Sequence, residues 1–432
     1  MGVVGMVNVA SIFSTLGNPN SLVPLAIKDI TSSAGVVTGS FITGKEEGHD
    51  RFIDEAGTEV IWLGGIPFFK WLFDKTAFKA IKLDSKFDAR NLKDKKILEK
   101  IKEYAPTDEI KKNIENITQK EKLFKNTTTA KFFVSTALTI ASYIGLTKFK
   151  QNYTDKKIRE NLIKEHQDNL VNQAQENENN TTIHNTPSFK GLGSAIESLA
   201  FSPVKNMWVL DGAITAERLK DSRTKQEFIG YAIKEASLLC FLYYAGDKIK
   251  EILEKHAEKK YNLTIGLDAR VIEGDGLKKA FESGEIIKDL EQFKNANKSD
   301  VELYEFLHKN PDNFIVKTAK TSDIIELHKE TGKIDTRKYI DLEEVKGVNN
   351  KLEKLYGQYK EALKKGQNSN EFFNQVKKLK RNSVLMSLGS CMFALGVLTP
   401  VLMLLSRTGE DNQEFETKKR IREDLIKKGI IA

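Results

Sequence analysis

The stretch Val384–Leu405, VLMSLGSCMFALGVLTPVLMLL, carries no charge from end to end. A helix needs about 20 apolar residues to cross the hydrocarbon core of a bilayer, so this run has the length of a span. Lys377, Lys378, Lys380 and Arg381 precede it; Arg407, Glu410, Asp411, Glu414 and Glu416 follow. By the positive-inside rule its N-terminal end faces the cytoplasm. Pro400 falls late in the run, where a missing N–H and a fixed φ bend a helix. A buried core helix is the competing reading.

Three other stretches are shorter or interrupted. Phe132–Leu146 is uncharged but falls short of a full span. Glu59–Phe73 contains Lys70, two glycines and Pro67, and Phe228–Ala245 carries Lys234 and Glu235. Singly, such runs read as core or interfacial helices. The opening segment Met1–Ile27 carries no charge and lacks the basic start of a secretory signal.

Around these stretches the chain resembles itself, and repeats are sought before a fold is assigned. Phe52-Ile53 with Glu59 recurs at the same spacing as Phe228-Ile229 with Glu235. Asp74-Lys75 recurs as Asp247-Lys248, Asp88-Ala89-Arg90 as Asp268-Ala269-Arg270, and Asn126-Thr127 as Asn382-Ser383. The tail YTDKKIRENLIK (Tyr153–Lys164) matches FETKKRIREDLIK (Phe415–Lys427) with one inserted residue. The order is colinear. It predicts a first half over 10–165, an Asn/Gln-rich linker over 166–189, and a second half over 190–432. The segment from Arg270 to Asn382 is far longer than its counterpart from Arg90 to Asn126, which marks a helical insertion within 271–376. The duplication couples the Phe132 run to the Val384 run: if one spans, so does its counterpart.

The expected fold class is therefore mainly α. The chain reads as a helical membrane protein of two duplicated halves, each with two apolar helices and a polar helical region. Eight prolines and 28 glycines in 432 residues suit long helices. The expected location is the membrane, integral, with regions 75–131 and 248–383 cytoplasmic. Lysine is abundant over 75–131, which suits contact with anionic headgroups as well as a plain solvated face. Leu352, Leu355, Tyr356, Tyr359 and Leu363 form a helical stripe. Through 352–363 it is a candidate contact for a protein partner, beside membrane lipid. The excess of 68 basic over 60 acidic residues is spread along the chain, and no specific nucleic acid is expected.

No motif assigns a reaction. Gly191-Leu192-Gly193 lacks the third glycine of a dinucleotide loop, and there is no phosphate-binding GxxxxGK[ST], no HExxH and no GxSxG. Cys240 and Cys391 are too few for a disulfide scaffold or a Cys₄ zinc site. Catalytic, cofactor and metal residues are accordingly expected to be none, and the chain is not expected to be an enzyme. The candidate positions are the repeated ones: Glu59 and Glu235, as acids facing an interior between helices, and Asp88, Arg90, Asp268 and Arg270, as a paired site or as helix caps. Three functions stay open: a membrane-anchored structural or interaction protein, a transport or channel-like protein of two parallel repeats, and a soluble α-helical protein.

Overall fold

The computed structural model describes residues 9–18, 21–169, 202–222, 225–406 and 413–431. The fold is mainly α, with no strand among the described residues beyond one isolated bridge, Leu327 to Ile334. The Asn/Gln-rich linker lies outside the described residues from 170 onward.

The helices divide into two bodies of different character. The first is a bundle of long helices: α1 (Val9–Gly17), α2 (Leu22–Thr43), α3 (Lys45–Phe73) and a long helix at Glu121–Asn169. From the second half come Pro203–Lys220, Lys225–Cys240, Ser369–Phe393 and Thr399–Leu405. The second body is polar on its surface and sits beyond one end of the bundle. It contains α4 (Lys95–Glu103) and α5 (Asp108–Gln119), after which the Glu121–Asn169 helix is α6. The second-half bundle helices Pro203–Lys220 and Lys225–Cys240 are α7 and α8. They are followed by α9 (Gly246–Tyr261), α10 (Ala269–Glu273), α11 (Asp275–Ser283), α12 (Glu285–Ala296), α13 (Asp300–Lys309), α14 (Phe314–Thr321) and α15 (Leu342–Lys364). The chain then returns through α16 (Ser369–Phe393) and α17 (Thr399–Leu405) and ends in α18 (Gln413–Lys427).

The polar body is built as a globular domain is. Most of its helices start on side-chain caps, among them Thr107 for α5, Ser299 for α13 and Asp341 for α15, and a capping box of Asn368 with Glu371 starts α16, which leads back to the bundle. One apolar core runs through it. Phe87, Ile101, Ile114 and Phe124 of the first half pack with Ile272, Leu303, Ile315, Leu352 and Val376 of the second. The central region of the first half and the insertion of the second thus share a single interior. The stripe on α15 belongs to it: Leu352, Leu355 and Tyr359 are buried, and Leu363 is exposed.

The bundle differs: buried charged and polar side chains share its interior with an apolar cluster, and large apolar side chains also face outward. On α3 the buried face carries Arg51, Asp54 and Glu55 together with Trp62 and Ile66, while Phe52, Val60, Phe68 and Trp71 are exposed. On α6 the buried stripe is Ser135, Thr139, Tyr143, Thr147, Lys150 and Thr154, at helical spacing, and Phe133, Val134, Leu138 and Phe149 are exposed. Over α16 and α17, Leu385, Met386, Phe393, Leu398 and Leu402 are exposed. Helices α6 and α16–α17 include the two segments, Glu121–His166 and Ser369–Leu405, whose length and composition suffice to cross a membrane.

Among the described residues, π turns interrupt the bundle helices at Asp74–Phe78, Phe241–Ala245 and Ala394–Leu398. A π turn displaces carbonyls from their α-helical donors. At Phe241–Ala245 the buried Lys28 of α2 donates to the carbonyls of Phe241 (3.4 Å) and Leu242 (3.2 Å). At Ala394–Leu398 the Thr399 hydroxyl donates to Ala394 O at 2.9 Å. Pro400 has no N–H to give the carbonyl of Gly396, and that carbonyl lies against Gly35 of α2, where a Cβ would overlap it. Helix α2 can cross here only because both residues are glycine.

The matching tails meet. Ile158 and Leu162 of α6 pack with Ile421 and Leu425 of α18 in a small separate core, flanked by ion pairs Arg159–Asp424 and Arg420–Asp155 at 3.0 Å each.

Candidate functional site

The inner faces of α2, α3, α6, α7 and α8 converge on a buried ionic network. It starts from α3, where Asp50, Asp54 and Arg51, Glu55, Glu59 fall at four-residue intervals and therefore on one side of the helix. From α7 comes Arg218, only 3% exposed, in the middle of the bundle. Its Nε donates to Tyr143 Oη at 2.7 Å, its Nη2 to Thr58 Oγ1 at 3.0 Å and Asp54 Oδ2 at 3.4 Å, and its Nη1 to Glu235 Oε1. From α8 comes Lys234, which donates to Glu55 Oε2 at 2.6 Å and lies 3.5 Å from Glu235. From α6 comes Lys150, which donates to Tyr231 Oη at 3.1 Å and lies 3.6 Å from Asp54. Tyr231 in turn donates to Asp54 Oδ2 at 3.1 Å, and the Arg51 guanidinium stacks 4.3 Å from the Tyr231 ring centre.

The repeated acids belong to this network without touching each other. Glu235 is joined to Arg218, Lys234 and Thr215, the last by a hydrogen bond of 3.2 Å. Glu59, half-buried, accepts from Ser33 Oγ at 2.9 Å, and the same hydroxyl lies 3.1 Å from Glu55. The path from Glu59 to Glu235 therefore runs through Ser33, Glu55 and Lys234. Nearby, the buried Asp29 of α2 and Asp211 of α7 add two carboxyls, and Tyr243 Oη donates to Asp211. The buried carboxyls Asp29, Asp50, Asp54, Glu55, Asp211 and Glu235 outnumber the buried cations Arg51, Lys150, Arg218 and Lys234 around them.

Energetically the network is a lock. Each buried charge is expensive to dehydrate, and the cost is recovered only where opposite charges and donors surround it. Arg218 satisfies this, with a planar fork that reaches two carboxylates and two hydroxyls from one centre. The network ties α7 and α8 of the second half to α3 and α6 of the first.

The repeated Asp-Ala-Arg triplets lie elsewhere, in the polar body, and make two separate local forks. Asp88 accepts from its own Arg90 N at 2.9 Å and is gripped by Arg90 Nη2 at 2.7 Å; it also caps the short turn Ala89–Leu92. Asp268 caps α10 in the same way, accepting from Arg270 N at 2.7 Å, while Arg270 Nη2 reaches Asp323 at 2.6 Å. A third copy of this geometry occurs at Asp335-Thr336-Arg337, whose Arg337 carbonyl accepts from Asp88 N at 2.8 Å.

Sequence reasoning found Glu59 and Glu235, marked Lys234 as a charge within an apolar run, and missed the rest of the network. Arg51, which lies eight residues before the apolar segment that starts at Glu59, is fully buried inside α3, because the helix begins at Lys45 and runs unbroken through both. The signal available was the four-residue spacing of Asp50, Arg51, Asp54, Glu55 and Glu59 set against apolar Phe52, Val60 and Leu63. Among the described residues no group of His, Cys, Asp and Glu has the arrangement to hold a metal ion. Comparison with known protein families, curated proteins and solved structures finds no match to this chain.

Proposed function

We propose that the chain is an integral membrane protein that anchors a folded helical domain at the bilayer face. The observation that carries this reading is the difference in polarity between the two bodies. In the polar body apolar side chains are inside. In the bundle, charges share the interior with an apolar cluster of Leu25, Trp62, Leu210, Leu238 and Leu395, and large apolar side chains are also outside on α3, α6, α16 and α17. Monomeric proteins in water rarely expose large contiguous apolar surfaces, whereas in hydrocarbon an apolar exterior is required and charges turn inward to pair. Two duplicated halves agree with the arrangement: the counterparts Glu59 and Glu235 enter one network, and the counterparts Ile158 and Ile421 one small core.

In this reading the ionic core holds the bundle together and the polar body, formed from 75–131 and 248–383, lies on the cytoplasmic side. The test is an alkaline carbonate wash of membranes holding the full chain or Phe393→Arg. Phe393 is 56% exposed near the middle of the apolar run. Arginine at the centre of a span opposes insertion by about 2.5–3.5 kcal/mol, while an exposed position on a protein in water tolerates the change within about 0.5 kcal/mol. Retention of the full chain and loss of the variant from the pellet is the expected result. Release of both sinks the proposal.

A transport function is the second reading, favoured by the excess of buried carboxyls around Asp29, Asp211 and Glu59. It requires proton or cation flux across vesicles holding the protein, abolished in Glu235→Gln.

A further inference from the structure

The polar body carries an open cleft of about 1090 Å³ where it meets the bundle. It lies between the end of α3, the start of the apolar part of α6, the 82–86 loop and the 326–338 loop. Ligand sites commonly measure about 300–1,000 Å³, so the space suits a small molecule or a lipid headgroup.

Its lining holds seven lysine and arginine side chains against five carboxylates, with His328 besides. Three of the five are engaged by cations of the same wall. Arg337 is forked onto Asp335 at 2.7 Å and reaches Asp84 at 3.5 Å, and Lys338 pairs with Glu326 at 3.0 Å. Lys70, Lys82, Lys86, Lys131 and Lys329 also line the space; Lys131 is steadied by Asp74 at 2.5 Å from outside the lining. Thr128 lines the cleft one turn before Lys131; it is 6% exposed and its buried hydroxyl has no hydrogen-bond partner. The Lys70 and Lys131 ammonium groups offer phosphate oxygens charge-assisted donors. The upper rim, Lys70 and Phe132, adjoins the exposed Phe68, Trp71 and Phe133 of the apolar belt. In the membrane reading that rim is at headgroup level, where basic pockets meet lipid phosphates.

We propose that this cleft binds a phosphate-bearing anion, the headgroup of an acidic lipid or a soluble phosphate ester. Lys70 and Lys131 hold the phosphate, and Lys82, Lys86 and Lys329 supply the surrounding field. The lipid source rests on the membrane reading; the cleft itself does not.

The experiment measures binding of dioctanoyl phosphatidic acid and of glycerol 3-phosphate to the full chain in neutral detergent by titration calorimetry. It compares the triple variant Lys82→Gln/Lys86→Gln/Lys329→Gln with Lys95→Gln/Lys96→Gln/Lys112→Gln, an equal charge change at exposed lysines outside the cleft. All six side chains are exposed, so both variants should fold. Saturable binding weakened at least tenfold by the cleft triple alone is the expected result. Binding of the lipid only assigns the headgroup; binding of both probes assigns a phosphate ester. Absence of binding, or equal weakening by the two triples, overturns the proposal. The carbonate wash on membranes holding the same variants separates the two ideas. Release of the chain with cleft binding intact refutes only the membrane reading, and retention without binding refutes only the cleft.

Discussion

Arg218 is the residue on which the bundle depends most. Removing one partner of a buried ion pair leaves the other charge uncompensated, at a cost of about 3–5 kcal/mol. Arg218→Met should therefore lower the thermal midpoint of the detergent-solubilised chain sharply. Arg218→Met/Glu235→Gln should lose less than the two single changes added together, because the pair shares one interaction. Additive losses would show that the contact carries no coupling. His308 sets a pH dependence in the polar body. It stacks on Tyr104 at a centroid distance of 4.6 Å, and its Nε2 is buried with no hydrogen bond. Burial, with Lys320 nearby, pushes the imidazole down from 6.5 to about 4. The unfolded chain then binds the proton first, so the stabilisation is complete above about pH 6.5 and is lost as pH falls toward 4, by up to about 3 kcal/mol. Thermal midpoints taken from pH 7 to 4.5 should fall less for His308→Phe than for the parent chain. Parallel profiles would remove His308 from the account.

Among the elements, the inverted helices α3 and α6 explain why apolar content alone misplaced the informative residues. The run Phe132–Leu146 looks featureless, yet Ser135, Thr139 and Tyr143 make its inner face and Phe133, Val134 and Leu138 its outer one. The crossing of α2 over the Ala394–Leu398 π turn is equally specific. A Cβ on Gly35 would meet backbone of Gly396, which cannot move aside as a side chain would. Gly35→Ala should destabilise the bundle by about 1–3 kcal/mol, the usual penalty of overpacking. Gly64→Ala, at a helical position with nothing within 4 Å, should be neutral or slightly stabilising, since alanine is the better helix former. Equal behaviour of the two variants in a thermal melt would mean that the close crossing is not formed.

For the molecule as a whole, the two halves are interleaved rather than set side by side. Phe87 and Ile114 from the first half are closed over by Ile315, Leu352 and Val376 from the second. Neither half expressed alone, as residues 1–169 or 202–432, should give a protease-resistant polar body, whereas the two coexpressed should copurify. A resistant fragment from either half by itself would contradict the shared core. Much of the architecture was legible beforehand. Few prolines, few glycines and an uncharged run at Val384–Leu405 suffice for a helical class, because these depend on local backbone preference and local composition. The Asp-Ala-Arg triplets could be marked as caps for the same reason, since aspartate bonds the backbone two residues on. What the tertiary structure alone decided is which charges are inside. Arg218 meets Asp54 across 164 positions and Lys234 meets Glu55 across 179. Pairings at that separation leave no trace in local periodicity. Only packing five helices together removes water from these side chains and makes partners of them.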